Sequence, residues 1–190
     1  VIKVKGDHCA GFCHTRGLSV VIAERALGRM IEDFQRHGKS KEALADAGTI
    51  IVHEQIHVLQ RCYPRKFASL YTGVYGLIEG EVERDEGVER HEIKKPDGLE
   101  GKRWSVENVG NDYWWKTIFD EEDNPAKMPG SFREAVMPLR KTGATYQVIW
   151  RKGEKKPQLV DPDVISDWKD QFPIRVGHDH PNEIFAYLFQ

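Results

Sequence analysis

The chain has 190 residues, of which 39% are hydrophobic and 31% are charged, and its formal net charge is -2. This composition is typical of a folded globular protein, and the near-neutral charge gives no electrostatic reason to expect a nucleic-acid partner. No apolar run reaches the roughly 18–20 residues of a membrane-spanning helix, so no membrane partner is expected either.

The size and the N-terminus set the domain expectation. A chain of 190 residues is most simply one domain, so we predict a single domain over residues 1–190. It begins at Val1 without an initiator Met or a recognisable signal peptide, which suggests a processed chain or an excised domain. Neither compartment nor oligomeric state is predicted.

The first half of the chain is predicted to form strands and then helices. Residues 1–22 read as strands because they are rich in β-branched side chains around turn residues. Residues 24–37 carry one apolar stripe at helical spacing. Residues 43–61 predict one long helix, or two abutting helices broken near Gly48, and another helix is expected from Arg65 to about Tyr75.

The second half is less regular until its last residues. Residues 76–110 are rich in charges and turns, and their carboxylates are typical of a solvated face. Residues 113–119 and 145–150 look like strands, separated by an irregular loop that contains Pro138. A final helix is expected to begin at Pro181, a residue favoured in the first helical turn.

The segment His53-Glu-Gln-Ile-His57 carries the most informative motif. Residues four apart on a helix share one face and lie about one helical turn apart along the axis, so both imidazoles can bind one cation. Glu54 can then reach a water on that cation. This is the HExxH arrangement, in which zinc polarises water and the glutamate is the general base. Six apolar residues surround the motif: Ile50, Ile51, Val52, Ile56, Val58 and Leu59. They favour a buried helix over a surface helix whose histidines repeat by chance.

A catalytic zinc typically has three protein ligands and one open position, so two histidines need a partner. Glu79 is one candidate, but it lies among several other carboxylates. Glu183 is preferred because it stands at the start of an apolar helix, where a buried carboxylate would be costly without a cation. His178 or His180 would instead complete an all-histidine site.

The three cysteines are too few, and odd in number, for a disulfide framework. Cys9 and Cys13 are flanked by His8 and His14, which raises the alternative of a second metal site. In a strand, however, the two cysteines would share one face and the two histidines the other. Buried thiols or one local disulfide are therefore the preferred interpretation.

The HExxH segment, together with Asn182-Glu-Ile-Phe-Ala-Tyr-Leu-Phe189, resembles the gluzincin metallopeptidases. The resemblance implies zinc bound by His53, His57 and Glu183, with Glu54 as the base. It also implies an α+β, zincin-like fold in which a small mixed sheet packs on the active-site helix, with further helices. An edge strand, here residues 17–22, would pair with an extended peptide substrate.

The chain departs from the gluzincin pattern at one position. Members of the family usually carry an acidic residue four positions after the glutamate ligand, where it orients a ligand histidine, whereas this chain has Tyr187. Another residue, such as Asp179, would then have to orient the ligands.

The expected function is zinc-dependent hydrolysis of a peptide or protein substrate. A donor is needed to stabilise the oxyanion, and His178, His180 and Tyr146 are candidates, each of which also fits a structural role. The histidine pair is preferred. The alternatives are a zinc hydrolase acting on a non-peptide amide or ester, a non-catalytic binding module stabilised by metal, and a purely structural polar cluster without metal.

Overall fold

The structure, a computed structural model, describes residues 1–6, 8–93, 103–108, 111–119, 132–150, 152–154, 157–175 and 177–190. It contains two compact units. Unit 1 consists of Val1–Pro64 and Phe185–Gln190, and unit 2 consists of Arg65–Ile184. The single domain over residues 1–190 stays a prediction, because compactness does not test whether the two units fold together.

Unit 1 contains a three-stranded mixed sheet and two long helices. Their bounds are β1 (Ile2–Val4), β2 (His14–Arg16), β3 (Ser19–Ala23), α1 (Glu24–His37) and α2 (Lys41–Cys62). The strand order is β1-β3-β2, with β1 parallel and β2 antiparallel to β3. Helix α2 packs against β2, β3 and α1. A small mixed sheet on the motif-bearing helix is therefore confirmed.

Strand β3 is buried between its two neighbours. Val20, Ile22 and Ala26 form the centre of a core cluster, against which Leu27 and Val58 pack. Because β1 and β2 occupy both sides of β3, the prediction that residues 17–22 form an edge strand is wrong. The edge strands of this sheet are β1 and β2.

Helix α2 runs without interruption through Gly48. A lone glycine costs a helix only about 1 kcal/mol relative to alanine, which the packing of a 22-residue helix readily offsets. Of the two alternatives, one long helix and a helix pair, the structure has the single helix.

Unit 2 contains a five-stranded sheet that closes on itself. The helices and strands after α2 are α3 (Pro64–Gly73), β4 (Leu77–Val82), α4 (Glu86–Glu89), β5 (Arg103–Asn108), β6 (Asn111–Phe119), β7 (Phe132–Thr142), β8 (Thr145–Val148), α5 (Ser166–Gln171) and α6 (Pro181–Leu188). Strands β4 to β8 pair in sequence order, and a parallel pair between β4 and β8 closes the sheet. Its core contains Val82, Trp114, Met137 and Tyr146.

The prediction of an irregular loop between residues 119 and 145 is partly wrong, because Pro138 lies inside β7 and pairs with Tyr113 of β6. Its carbonyl accepts a hydrogen bond from Ile149, one residue past the end of β8. The backbone N–H that proline lacks would point to the same side as this carbonyl, towards Ile149. Because Ile149 lies past the end of β8, no hydrogen bond of the β7–β8 ladder is lost. Asn124, Pro125 and residues 128–130 of that loop lie outside the described residues.

The acidic stretch after residue 76 contains a strand, β4, whose glutamates lie on its solvent-exposed side. Glu79 and Glu81 are exposed on β4, whereas Leu77 and Val82 are buried. An α+β fold is confirmed, and the closed sheet was not predicted. Across the described residues, every helix is too short or too polar to cross a membrane.

Candidate metal centre

Helix α2 brings the two motif histidines into direct contact. Their Nε2 atoms are 3.1 Å apart, and their rings meet nearly edge to face. His57 is buried; His53 is half-buried as a residue, and its Nδ1 is buried. Two ligand nitrogens on one tetrahedral zinc are about 3.3 Å apart, as bond lengths of ~2.0–2.1 Å require. The pair is therefore arranged to share a cation.

Glu183 lies in the first turn of α6 and is buried. The boundary between the compact units falls inside this helix, after Ile184, so Glu183 and Tyr187 belong to one continuous helix and share a face. Within unit 1, the ring of Tyr187 packs against the ring of His53, with centroids 4.6 Å apart.

The three predicted ligands form one buried cluster. One ligand atom from each of His53, His57 and Glu183 lies within 4.8 Å of the other two. The donor set, two imidazoles and a carboxylate, is that of known catalytic zinc sites. The residues present therefore fit a metal ion.

Gln60 sets the proton position on His57. Its Oε1 accepts a hydrogen bond of 2.8 Å from Nδ1 of His57, and its side chain is fully buried. With the proton on Nδ1, the lone pair of a neutral His57 lies on Nε2, which is the atom that faces the cluster. This contact has the function expected of the residue that orients a metal ligand.

The sequence pattern did not single out Gln60, and Asp179 was the residue predicted to orient a ligand histidine. A signal was available, since Gln60 follows His57 by three residues and therefore lies on the same helical face. Tyr187, which stands where gluzincins usually have an acidic residue, packs against the ring of His53. For His57 the orienting contact comes from Gln60.

Glu54 is buried on α2 but is not a member of the three-residue cluster. Its negative charge acts on Cys13, just before β2: burial raises the pKa of the Cys13 thiol, the backbone of Ala23 lowers it, and Glu54 raises it again. The Glu54 carboxylate is therefore close enough to Cys13 to act on its thiol electrostatically.

His178 is held on both sides. Nδ1 lies 3.2 Å from Oε2 of Glu134, and Nε2 lies 3.3 Å from the carbonyl oxygen of Phe172. The imidazole also packs on the ring of Trp115. Glu134 further accepts hydrogen bonds from the backbone N–H groups of Gly177 and His178. These contacts favour a structural role over oxyanion stabilisation.

His180 precedes α6 and caps it. Its Nδ1 accepts a hydrogen bond from the backbone N–H of Asn182, the second residue of the helix. A neutral His180 therefore carries its proton on Nε2, which is buried and can act as a donor.

Tyr146, a candidate oxyanion donor, and Glu79, a candidate metal ligand, both lie in the closed sheet. Tyr146 is buried in its core, with its ring beside Gly80 and below the ammonium group of Lys141. Glu79 is exposed on β4 and is outside the metal-ligating clusters found among the described residues. These placements favour structural or surface roles.

The prediction of free thiols is confirmed, whereas the predictions of a local disulfide and of buried cysteines are wrong for Cys9 and Cys62. All three cysteines are free thiols, so no local disulfide forms. Cys9 and Cys62 are exposed and Cys13 is half-buried. Cys9 lies in a short 3-10 turn, His8–Gly11, rather than in a strand, and therefore the expected separation of cysteines from histidines does not occur.

The chain matches no protein-family model, and neither a curated protein nor a solved structure matches it at a significant level. The resemblance to gluzincins thus depends on the motif residues and on the cluster that they form.

Proposed function

We propose that this protein is a zinc-dependent hydrolase of peptide bonds, with His53, His57 and Glu183 as the metal ligands. One observation carries the proposal: the ligand atoms of these three side chains come within 4.8 Å of one another in a buried cluster. The first two belong to one helix and the third lies 126 positions after His57. A buried carboxylate beside two imidazoles is stabilised by a cation that all three can share.

The side chains around the cluster have separate tasks. Gln60 keeps the proton of His57 on Nδ1, which puts the lone pair of a neutral His57 on Nε2, the atom that would bind the cation. Glu54 takes a proton from the attacking water and later delivers it to the leaving amine. His180 offers its Nε2 proton to the developing oxyanion. The metal, when bound, would act as a Lewis acid and lower the pKa of the water that it holds to about 7.

Glu54→Gln tests this assignment most directly. The amide keeps the size of the side chain but cannot accept the proton, so turnover should fall about 10²- to 10⁴-fold while metal content stays at the wild-type level. Glu32→Gln, an exposed carboxylate paired with Arg36 on α1, is the matched control and should keep full activity. Full activity in Glu54→Gln would remove the proposed base.

Two alternatives are separated by other measurements. A panel of peptide libraries and of small amides and esters distinguishes a peptidase from a hydrolase of non-peptide substrates. A metal-stabilised binding module would bind zinc and gain thermal stability, yet would hydrolyse neither class. The burial of His57 and Glu183 is the observation that keeps a metal-stabilised module as the second candidate.

Metal binding itself is tested on stability. A metal that binds only the folded chain stabilises it by about 2.7 kcal/mol at a concentration of 100 Kd. We expect added zinc to raise the melting temperature of the chelator-treated wild-type protein. The same zinc should have much less effect on His53→Ala, which lacks one ligand. An equal rise in the variant would contradict the ligand assignment.

A further inference from the structure

A second group of metal-ligating side chains lies near the N-terminus of unit 1. His8, Cys9 and His14 each offer one ligand atom, and these atoms all lie within 4.8 Å of one another. His14 is buried, whereas His8 and Cys9 are exposed. Thiolate and imidazole are ligands preferred by zinc and by copper, and not by magnesium or calcium.

The local backbone brings these three side chains together. The 3-10 turn His8–Gly11 reverses the chain, and Cys9 adopts a positive φ of 46° within it. The first residue of β2 is His14, whose Nδ1 donates to the carbonyl oxygen of Phe12 at 3.3 Å. The lone pair of neutral His14 therefore lies on Nε2, which is 3.8 Å from Sγ of Cys9. The ring of His8 lies 5.5 Å from that of His14.

We propose that His8, Cys9 and His14 form a second metal site, which binds zinc and leaves a coordination position to solvent. Zinc–sulfur and zinc–nitrogen bonds of ~2.3 and ~2.0–2.1 Å place a tetrahedral S,N ligand pair about 3.6 Å apart. The observed Cys9–His14 separation is close to this value. Binding converts the thiol to a thiolate and releases its proton to solvent.

The same thiol and imidazole also resemble a nucleophile beside its base. A reactive thiol requires one imidazole, and this site has a second one, His8, in reach of the same atoms. The second imidazole favours metal ligation. The proposal shares no residue with the His53, His57 and Glu183 cluster, so it stands independently of the proposed function.

Cobalt(II) distinguishes the two sites, because only a thiolate ligand produces a sulfur-to-cobalt charge-transfer absorption. The full chain, freed of metal by a chelator and kept reduced with a phosphine, is titrated with cobalt beyond two equivalents. We expect a saturable charge-transfer band that zinc removes by displacement. Elemental analysis after zinc loading should give one metal fewer per Cys9→Ser chain than per wild-type chain, whatever the first site binds.

The variants assign the band to its ligands. Cys9→Ser should abolish it, and His8→Ala should weaken cobalt binding by at least about tenfold, since even outer-shell partners are worth 10–100-fold. His8 is exposed, so its replacement should not disturb folding. Cys13→Ser and Cys62→Ser are the matched thiol controls, and His53→Ala removes a ligand of the first site only. All three should keep the band.

Three results would overturn the proposal. The first is a wild-type protein without a charge-transfer band. The second is a band that survives Cys9→Ser or disappears with Cys13→Ser, which would assign the thiolate elsewhere. The third is alkylation of Cys9 at an unchanged rate when zinc is present in excess.

Discussion

Replacing Gln60 tests whether this residue prepares His57 to bind metal. Gln60→Met keeps the length and most of the volume of the side chain but removes the oxygen that accepts the 2.8 Å hydrogen bond from Nδ1 of His57. Both residues are buried, so water cannot easily replace the lost acceptor. The change leaves the fold of α2 intact, because methionine is a good helix former.

The expected loss has two parts. A buried donor without its acceptor costs about 1–3 kcal/mol of folding free energy. Without the bond, His57 can also place its proton on Nε2, which blocks the atom that faces the cluster. Loss of such orienting contacts typically lowers metal affinity 10–100-fold, which corresponds to roughly 1.4–2.7 kcal/mol. We therefore expect zinc affinity to fall by that factor in Gln60→Met.

The affinity is measured by competition with a chromophoric zinc chelator, and the stability by denaturant unfolding of the metal-free chain. Gln60→Glu provides the opposite change: a carboxylate in this position accepts the same hydrogen bond, as in carboxylate–histidine–zinc arrangements, so affinity should be retained or rise. Gln55→Met is the matched control, since Gln55 lies on the same helix but is exposed.

One result would refute this reasoning. If Gln60→Met binds zinc within twofold of the wild-type affinity while the metal-free chain unfolds normally, the hydrogen bond does not prepare His57. A loss of equal size in Gln55→Met would show that the effect comes from α2 as a whole.

Three further predictions concern stability. Burial acts to raise the pKa of Glu134, but hydrogen bonds from His178 and the adjacent backbone outweigh it, and the pKa lies below its ordinary value of 4.5. Glu134 therefore stabilises the folded state above about pH 4.5, and this contribution is lost as the pH falls through the lowered pKa. In urea unfolding, Glu134→Gln should consequently lose less stability on acidification than the wild-type protein. Gly80→Ala should cost about 1–3 kcal/mol, because the new Cβ would lie 2.5 Å from the buried ring of Tyr146, and unchanged thermal stability would contradict the packing. Gly28→Ala in the middle of α1 meets no atom within 4 Å and should stabilise the chain by about 0.5–1 kcal/mol in the same assay.

Several elements were predictable because their signals are local. Helix α1 was expected over residues 24–37 and is found at Glu24–His37, where one apolar stripe follows the helical period. Strand β6 and helix α6 were also expected near their observed positions. Strand β4 was missed, since its exposed Glu79 and Glu81 gave the segment the character of a surface loop.

Other errors came from contacts between distant residues. The closed sheet depends on the pairing of β4 with β8, which joins residues more than sixty positions apart, such as Glu81 and Thr145. The position of β3 between two neighbours depends on β1, which is too short to be assigned to either side from its sequence. The 3-10 turn at His8 regroups side chains that a strand would separate.

The sequence alone determined that His53 and His57 share a helical face, with Glu54 beside them, because helix geometry depends only on positions in the chain. It also identified Glu183 as a lone acidic residue at the start of an apolar helix. Only the tertiary structure decided that Glu183 joins the histidines, that Gln60 orients His57, and that His8, Cys9 and His14 meet. Such contacts depend on packing and backbone turns that residue spacing does not specify.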